Sequence, residues 1–248
     1  TKKVFFNYYY NIMKILVTGG AGQIAYSLIP LLLTGSIFGK IKIDLILLDI
    51  EMCMEKLQGV KMEIEDSNFE YLNSLIVTSD LSTAFSNIDL AILLGGFPRL
   101  PGMERKDLLE KNFNIFKTQG EALNNYANKN VKVLVVANPV NTNCWIANKY
   151  SPNIPSENFT SYSYLDQERL AFLLKNKYNK SYDNIKNIII WGNHSSTMVP
   201  DISNYNTELH LDENDISTIQ NRGAAVISLF FNTSSQTVVV LMFGYCSL

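Results

Sequence analysis

Short apolar runs alternate with longer stretches of helical periodicity through the first part of the chain. Runs that are short and rich in Val, Ile and Leu predict buried strands, and apolar residues at helical spacing predict helices. The strands are predicted at residues 15–18, 45–49, 74–78, 89–94 and 131–136. The helices are predicted at residues 23–33, 51–67, 105–128 and 141–149. Because strands and helices alternate, we expect an α/β fold built on a doubly wound parallel sheet.

The character of the sequence changes after Pro152 and Pro155, where the chain becomes polar and rich in Asn, Ser and Tyr. Such a change is typical of a domain boundary. We therefore expect a first domain over residues 13–155 and a smaller α+β unit over residues 156–248. The elements predicted in the second unit are helices near residues 165–177 and 216–227 and a strand at residues 188–191.

Gly19 and Gly22 lie between the first predicted strand and the first predicted helix. Glycine at such a turn allows a positive φ and lets bare backbone N–H groups approach a ligand, and the helix N-terminus behind the turn favours an anion. A strand, a glycine turn and a helix in this order predict a site for the pyrophosphate of a dinucleotide. An ordinary turn between a strand and a helix is the alternative.

An acidic residue, Asp49, ends the second predicted strand. A carboxylate at this position in a dinucleotide-binding fold accepts hydrogen bonds from the adenosine ribose. Asp49 lies further along the chain than the roughly 20 residues usual for this fingerprint, so residues 34–42 are predicted to form an inserted loop. A solvated strand end is the alternative for Asp49.

Composition narrows the possible functions. The chain has 248 residues, 47% of them hydrophobic, and a formal net charge of -2 with acids and bases interspersed, so we expect a globular protein without a nucleic-acid surface. The three cysteines have no spacing typical of a disulfide framework or a zinc site, which indicates a reducing compartment and no metal. No apolar run is long enough to span a bilayer, so no membrane partner is expected. Residues 1–12 are expected to be an extension ahead of Met13.

Charged side chains that could carry chemistry lie on one loop and one helix. Arg99 and Arg105 belong to a Gly- and Pro-rich loop after the fourth predicted strand, where a guanidinium can pair with a carboxylate in two parallel hydrogen bonds. Asp166 and Arg169 are three residues apart and therefore share one helix face. Surface arginines and an ordinary intrahelical ion pair remain the alternatives.

Two histidines are the candidates for acid–base chemistry near neutral pH. His194 follows a predicted strand through the turn-forming pair Gly192-Asn193, whereas His210 lies in a polar, acidic stretch typical of a solvated surface. His194 is therefore the better candidate for a proton acceptor. A structural histidine is the alternative.

Four segments of the chain carry recognisable motifs. They are residues 18–28 (TGGAGQIAYSL), 98–109 (PRLPGMERKDLL), 138–143 (NPVNTN) and 190–197 (IWGNHSST). In this order they resemble the lactate/malate dehydrogenase family, and within it the malate dehydrogenases of the cytosolic type. The resemblance implies an NAD-binding Rossmann domain, NAD as the cofactor, and the oxidation of (S)-malate to oxaloacetate and its reverse, a reaction of the tricarboxylic acid cycle. It also implies a homodimer and a cytoplasmic location.

The resemblance implies roles for individual side chains of the substrate site. His194 would accept the proton of the substrate hydroxyl while hydride leaves for the nicotinamide, and Asp166 would orient the ring and stabilise the imidazolium. Arg169 would bind the C1 carboxylate, Arg105 would polarise the C2 oxygen, and Arg99 would pair with the distal carboxylate. Because a methyl group would leave Arg99 as a buried unpaired charge, we expect a dicarboxylic acid substrate, malate or oxaloacetate, in preference to lactate or pyruvate.

Cofactor contacts follow from the same resemblance. The residues implied at the pyrophosphate are Gly19, Gly22, Gln23 and Ile24. Asn138 would hydrogen-bond the substrate or the nicotinamide. Asp49 favours NAD over NADP, because a 2′-phosphate needs a small uncharged residue at that position.

The chain also departs from the family pattern. Leu100 stands where a second basic residue is usual, and Gln167-Glu168 replaces the commoner His-Asn pair. The resemblance ends near residue 227, so we expect the substrate domain to be incomplete.

Two alternative functions follow from these departures and from the glycine turn. One is an inactive or misfolded fragment that retains at most NAD binding. The lesser one is an epimerase of the extended short-chain dehydrogenase type, which needs a Tyr-X-X-X-Lys pair. Pairs with that spacing are Tyr10/Lys14 and Tyr182/Lys186.

Overall fold

A computed structural model describes residues 12–97, 105–192, 195–205 and 209–231 of the chain. The described residues form two units, the first ending at Ser161 and the second beginning at Tyr162. The division lies a few residues beyond the boundary expected near residue 155, because the chain first adds a short strand to the sheet of the first unit.

A parallel sheet forms the centre of the first unit. Its strands are β1 (Ile12–Thr18), β2 (Lys42–Leu48), β3 (Leu72–Thr78), β4 (Leu90–Leu93), β5 (Lys132–Val135) and β6 (Phe159–Ser161). They lie in the order β3-β2-β1-β4-β5-β6, and each neighbouring pair is parallel. The strand order reverses between β1 and β4, which confirms the predicted doubly wound α/β fold.

Among the described residues of the first unit, four of the five helices follow the predicted order, and the short third helix was not predicted. The five helices are α1 (Gln23–Leu33), α2 (Met54–Asp66), α3 (Leu81–Phe85), α4 (Arg105–Tyr126) and α5 (Val140–Lys149). The stretch predicted as one helix over residues 51–67 begins instead with a 3-10 turn, Glu51–Cys53, before α2. In the predicted inserted loop the chain turns tightly, since Gly39 N–H donates to the Gly35 carbonyl at 2.9 Å.

Burial explains why β1 and β2 read as nearly continuous apolar runs. Both strands are buried along most of their length, as expected of central strands in a parallel sheet covered on both faces. One apolar cluster joins them to the inner faces of α1 and α2 and includes Ile15, Leu28, Leu45, Leu57 and Val60. This core fixes the carboxyl ends of β1 and β2 relative to the start of α1.

The second unit combines helices with a small antiparallel hairpin. Its elements are α6 (Tyr164–Tyr178), a 3-10 turn (Tyr182–Asn184), β7 (Ile189–Trp191), β8 (Val199–Asp201) and α7 (Glu213–Phe231). β7 pairs with β8 in antiparallel register. A second apolar cluster, which includes Leu170, Leu174, Ile188, Met198 and Ile219, lies among these elements. Across the described parts of both units, every helix is too short or too polar to cross a membrane.

Lys177 joins α6 to the start of α7. Its ammonium donates to Asp212 at 2.7 Å and to Asp215 at 2.6 Å. The two aspartates also cap α7 reciprocally, because each carboxylate accepts the backbone N–H of the other at 2.9 Å. The bond with Lys177 lowers the pKa of the Asp212 carboxyl, and the bond with Asp212 raises the pKa of the Lys177 ammonium. Each shift favours the charged form of its group.

This cluster predicts a pH-dependent contribution to stability. Asp212 has a lowered pKa in the folded state, so its contribution is present above the unfolded value of about 3.9 and is lost as the pH falls through the folded value. Lys177 has a raised pKa and stays charged across this acid range, so its bond with Asp212 is lost only through protonation of Asp212. We expect Lys177→Met to lower the Tm by a few degrees at neutral pH, and the difference from wild type to shrink below about pH 4.

Thermal unfolding followed by circular dichroism across the acid range measures this effect. The matched control is Lys175→Met, which removes an exposed lysine from the same helix and should leave the Tm unchanged. A Lys177→Met variant with the wild-type Tm at neutral pH would contradict the prediction.

Candidate functional site

The turn after β1 has a backbone geometry that requires glycine. Gly19 has a φ of +68°, and a Cβ on it would lie 2.9 Å from both Cα and N of Gly95. A Cβ on Gly20 would lie 2.8 Å from Cβ of Leu47, and one on Gly22 would lie 3.0 Å from the Gly19 carbonyl oxygen. The turn therefore lies between β1 and β4, where the strand order reverses and doubly wound sheets bind ligands.

The composition of the start of α1 suits an anion. Its N-cap residue is Gly22, which makes no side-chain cap, and the first turn contains no acid. The helix ladder begins with Tyr26 N–H donating to the Gly22 carbonyl at 3.0 Å. Gln23 and Ile24 are thus the first two residues of a helix whose positive dipole end favours a phosphate.

Asp49 follows β2, and its carboxylate is tied to the glycine turn. Oδ2 accepts the Ala21 N–H at 2.9 Å, and Oδ1 accepts the Ile50 N–H at 2.8 Å. An ionised carboxylate has about four lone-pair sites, so each oxygen can accept a further hydrogen bond from a ribose hydroxyl. The structure therefore brings Asp49 and the glycine turn together at one edge of the sheet.

Asn112, a fully buried residue of α4, holds the backbone at Phe97. Its Oδ1 accepts the Phe97 N–H at 2.9 Å, and its Nδ2 donates to the carbonyls of Phe97 at 3.3 Å and Leu108 at 3.0 Å. The Lys111 ammonium also lies 3.9 Å from the centre of the Phe97 ring. Asn112 was not among the predicted site residues. The signal that could have revealed it is a polar residue one helical turn before the buried Phe116.

Asn138 lies exposed in the loop after β5, and its peptide bond to Pro139 is cis. Nδ2 of the fully buried Asn143 donates to the Ala137 carbonyl at 2.8 Å. A Cβ on Gly96 would lie 2.9 Å from Cβ of Ala137, so the segments after β4 and β5 are in close contact. Asn138 therefore belongs to the same carboxyl edge of the sheet as the glycine turn.

Asp166 and Arg169 form an ion pair on α6 in the second unit. Nη1 of Arg169 lies 2.8 Å from Oδ1 of Asp166, and the exposed fractions of the two side chains are 16% and 3%. Removing one partner of a buried pair leaves an uncompensated charge, which costs about 3–5 kcal/mol. Burial thus distinguishes this pair from an ordinary surface ion pair on a helix.

The remaining candidates from the sequence are two arginines, Arg99 and Arg105, and the two histidines. Arg99 and His194 lie outside the described residues, and Arg105 is the first residue of α4. His210 is exposed, as predicted, and its carbonyl accepts the Tyr178 hydroxyl at 2.6 Å. Across the parts of the chain that the structure describes, no cluster of three or more His, Cys, Asp or Glu residues could hold a metal ion.

Two members of the Tyr-X-X-X-Lys pairs, Tyr182 and Lys14, make other contacts. Tyr182 lies in a 3-10 turn, where its hydroxyl donates to Glu168, and burial together with this bond raises the pKa of Tyr182. Lys14 lies in β1, where its ammonium donates to the Ser86 carbonyl at 2.7 Å. Tyr10 lies outside the described residues. These contacts assign structural roles to Tyr182 and Lys14, and to Glu168 at one of the positions that depart from the expected motif.

Two family models match the chain in sequence. One, the NAD binding domain of lactate/malate dehydrogenase, matches residues 13–160. The other, the alpha/beta C-terminal domain of the same enzymes, matches residues 163–236. The chain belongs to the lactate/malate dehydrogenase family. The resemblance carried by the four motifs is thereby confirmed.

Individual members of the lactate/malate dehydrogenase family are also similar to the chain. The cytoplasmic malate dehydrogenase of Felis catus is 48% identical over 231 residues, which are 87% of this chain and 69% of the cat protein. The crystal structure of malate dehydrogenase from Naegleria fowleri matches with a TM-score of 0.82 and 41% identity, covering 88% of this chain and 71% of that one. Lactate dehydrogenase of Trichomonas vaginalis in complex with NADH and oxamate has a TM-score of 0.82 and 36% identity, covering 88% and 70%.

The first unit of this family member fits NAD. A side chain at Gly19 would enter the backbone of Gly95, so only glycine fits this turn. The uncapped start of α1 matches the charge of a pyrophosphate, and Asp49 matches the hydroxyls of a ribose.

The geometry of Gly19 predicts a loss of cofactor binding in Gly19→Ala. Alanine would place its Cβ against Gly95, and the positive φ costs an L-residue about 1–2 kcal/mol. We expect the Kd for NADH, measured by fluorescence titration, to rise by about tenfold or more.

The matched control is Gly59→Ala on α2, where a Cβ would meet no atom within 4 Å. This variant should bind NADH like wild type and be at least as stable, because alanine favours a helix more than glycine does. Wild-type affinity in folded Gly19→Ala would show that the turn does not need glycine.

Proposed function

We propose that this chain is an NAD-dependent malate dehydrogenase, which interconverts (S)-malate and oxaloacetate. The observation that carries the proposal is the buried Asp166–Arg169 pair, since it supplies a fixed carboxylate and a guanidinium in the second unit. Similarity to the cytoplasmic malate dehydrogenase of Felis catus, 48% identical over 231 residues, supports malate as the substrate.

The second unit carries the proton transfer in this proposal. Bound NAD supplies the acceptor for the hydride that leaves C2 of malate. His194 takes the proton of the hydroxyl and returns it in the reverse direction. Asp166 stabilises the imidazolium, because a buried carboxylate interacts strongly with a neighbouring positive charge. Arg169 has five N–H donors, so it can bond Asp166 and still bind the C1 carboxylate of the substrate.

Substrate selectivity is assigned to the arginines of the first unit. Arg105 polarises the C2 oxygen, and Arg99 pairs with the distal carboxylate of the substrate. A pyruvate methyl group would leave the Arg99 guanidinium without a counter-charge, so a dicarboxylic acid is favoured. Asn138 hydrogen-bonds the substrate or the nicotinamide. The bonds from Asn112 to Phe97 support this assignment, because they fix the chain two residues before Arg99.

Cofactor contacts are assigned to the carboxyl edge of the sheet. The residues proposed to hold the pyrophosphate are Gly19, Gly22, Gln23 and Ile24. Asp49 accepts hydrogen bonds from the adenosine ribose, which favours NAD over NADP. We also propose that residues 13–155 form the NAD-binding domain and that residues 156–248 carry the substrate domain.

We propose a homodimer in the cytoplasm as the working form of the protein. Several relatives at 46–48% identity are named cytoplasmic malate dehydrogenases, which supports the location. Sedimentation velocity distinguishes a dimer from a monomer of 28.0 kDa. A monomer at all protein concentrations would contradict the dimer.

The loss of NADH absorbance in the presence of oxaloacetate tests the proposed reaction. We expect kcat/KM for oxaloacetate to exceed that for pyruvate by roughly a thousandfold or more, because pyruvate cannot pair with Arg99. NADH binding is measured on the same preparation. A folded chain that binds NADH but does not oxidise it with oxaloacetate would support the alternative of a fragment limited to cofactor binding.

The proposed role of Asp166 predicts that Asp166→Asn lowers kcat without weakening NADH binding. Asparagine removes the negative charge that stabilises the imidazolium, so kcat should fall by about 10²–10⁴-fold while the Kd for NADH stays at the wild-type value. The control is Glu168→Gln, which removes a carboxylate from the same helix and should leave kcat within a few-fold of wild type. A wild-type kcat in Asp166→Asn would exclude the assigned role.

A further inference from the structure

We propose that Glu51 is a second determinant of cofactor specificity, which disfavours NADP through its negative charge. The inference rests on the proposed use of NAD and names a residue beyond Asp49. In this fold a carboxylate after β2 hydrogen-bonds the 2′-hydroxyl of the adenosine ribose of NAD. NADP carries a phosphate on that 2′-oxygen. A charged side chain near Asp49 therefore acts on that phosphate. NAD lacks the 2′-phosphate, and its pyrophosphate is common to both cofactors.

A tight turn of backbone brings Glu51 next to Asp49. Asp49 N–H donates to the Thr78 carbonyl at 3.2 Å, which extends the pairing of β2 with β3 to this residue. Cys53 N–H then donates to the Ile50 carbonyl at 2.9 Å, which closes the 3-10 turn that contains Glu51. Burial and the adjacent Asp49 carboxylate raise the pKa of the Cys53 thiol. Residues 49–53 thus fold back around the carboxylate of Asp49.

A hydrogen bond restrains the Glu51 side chain at this edge of the sheet. The Ser79 hydroxyl donates to Oε2 of Glu51 at 2.5 Å. Ser79 directly follows β3, so the bond keeps the carboxylate over the carboxyl ends of β2 and β3. The next residue, Asp80, accepts bonds from the Ser82 hydroxyl and the Thr83 N–H, which lower its pKa to about 2. The edge is therefore negative at neutral pH.

Acidic residues outnumber basic residues in the segment that follows β2. Residues 49–56 contain three acids, Asp49, Glu51 and Glu55, and one base, Lys56, which leaves two net negative charges. Lys56 lies close enough to lower the pKa of the Cys53 thiol, against the larger effects that raise it. A 2′-phosphate carries a charge of about -1.5 to -2 at neutral pH. It would therefore be repelled by the segment that follows β2.

The position of Glu51 predicts how large the effect is. Glu51 is exposed, so its field acts through water and is screened by salt. Coulomb's law in water gives a change in affinity of roughly a few-fold for one charge and a phosphate separated by about one Debye length. Unlike Asp49, Glu51 acts only through its charge, so its removal should leave NAD affinity almost unchanged.

Glu51→Gln tests the inference. The Kd for NADH is measured by fluorescence titration and the Kd for NADPH by competition against NADH, at low and high salt. We expect NADPH to bind about threefold to tenfold more tightly in the variant at low salt, with the NADH affinity within about twofold of wild type. The gain should shrink at high salt. Glu51→Ser, which also removes the charge, should behave in the same way.

Two control variants test whether the effect on NADPH binding depends on the position of the Glu51 carboxylate or only on the net charge of the chain. Glu55→Gln makes the same change in net charge in the first turn of α2 and should produce a smaller gain. Ser79→Ala keeps the Glu51 charge but removes the hydrogen bond that restrains the Glu51 side chain. The increase in NADPH affinity should therefore fall between wild type and Glu51→Gln.

The outcomes distinguish the two proposals. An unchanged ratio of NADPH to NADH affinity in Glu51→Gln, or an equal gain in Glu55→Gln, would overturn the role of Glu51 while leaving NAD use intact. A wild-type chain that binds no NADH would contradict the proposed function itself, and the role of Glu51 would fall with it.

Discussion

The close approach of two backbones at the centre of the sheet is the constraint on which the cofactor-binding unit depends. A Cβ on Gly19 would lie 2.9 Å from Gly95, so the turn after β1 and the chain leaving β4 are in direct contact. The hydroxyl of the buried Thr18 accepts the Gly95 N–H at 3.1 Å, which ties the two segments together. Because β1 and β4 are neighbours at the reversal of strand order, this contact forms the floor of the crevice that a dinucleotide occupies in such folds.

Side-chain amides of asparagine hold the loops that follow β4 and β5 at the same edge of the sheet, where the backbone has no regular hydrogen-bond ladder. Asn112 pairs with both backbone groups of Phe97, and Asn143 holds the carbonyl of Ala137. Irregular backbone that leaves a strand has no ladder to satisfy its polar groups, and burying them unpaired would cost free energy. An asparagine from the following helix supplies the missing partner. Site residues on these loops therefore depend on α4 and α5 as well as on the strands.

The hydrophobic pattern of the sequence predicted most of the helices and strands, but it did not predict contacts between residues far apart in the chain. The helix at residues 23–33 had the right bounds because its apolar periodicity is strong and a glycine turn precedes it. β6 and β8 have three residues each, too few to show a period of two. The bond between Thr18 and Gly95 spans 77 residues, so no local pattern reveals it. Residue type and position made His194 a candidate proton acceptor and Arg99 a candidate partner for a carboxylate. Only the motif resemblance assigned each of them a group of the substrate, because spacing cannot place a lone side chain against a substrate.

The Asp166–Arg169 pair is better explained by chemistry than by stability. Burying two charges costs solvation free energy, and well-packed apolar residues of similar volume often stabilise a protein as much or more. The pair is nevertheless buried on α6, with the carboxylate only 3% exposed. A reaction that creates a positive imidazole needs a negative charge held in place before the proton moves, and a fixed guanidinium suits a carboxylate substrate. The proposed proton transfer gives both charges a use that packing alone does not.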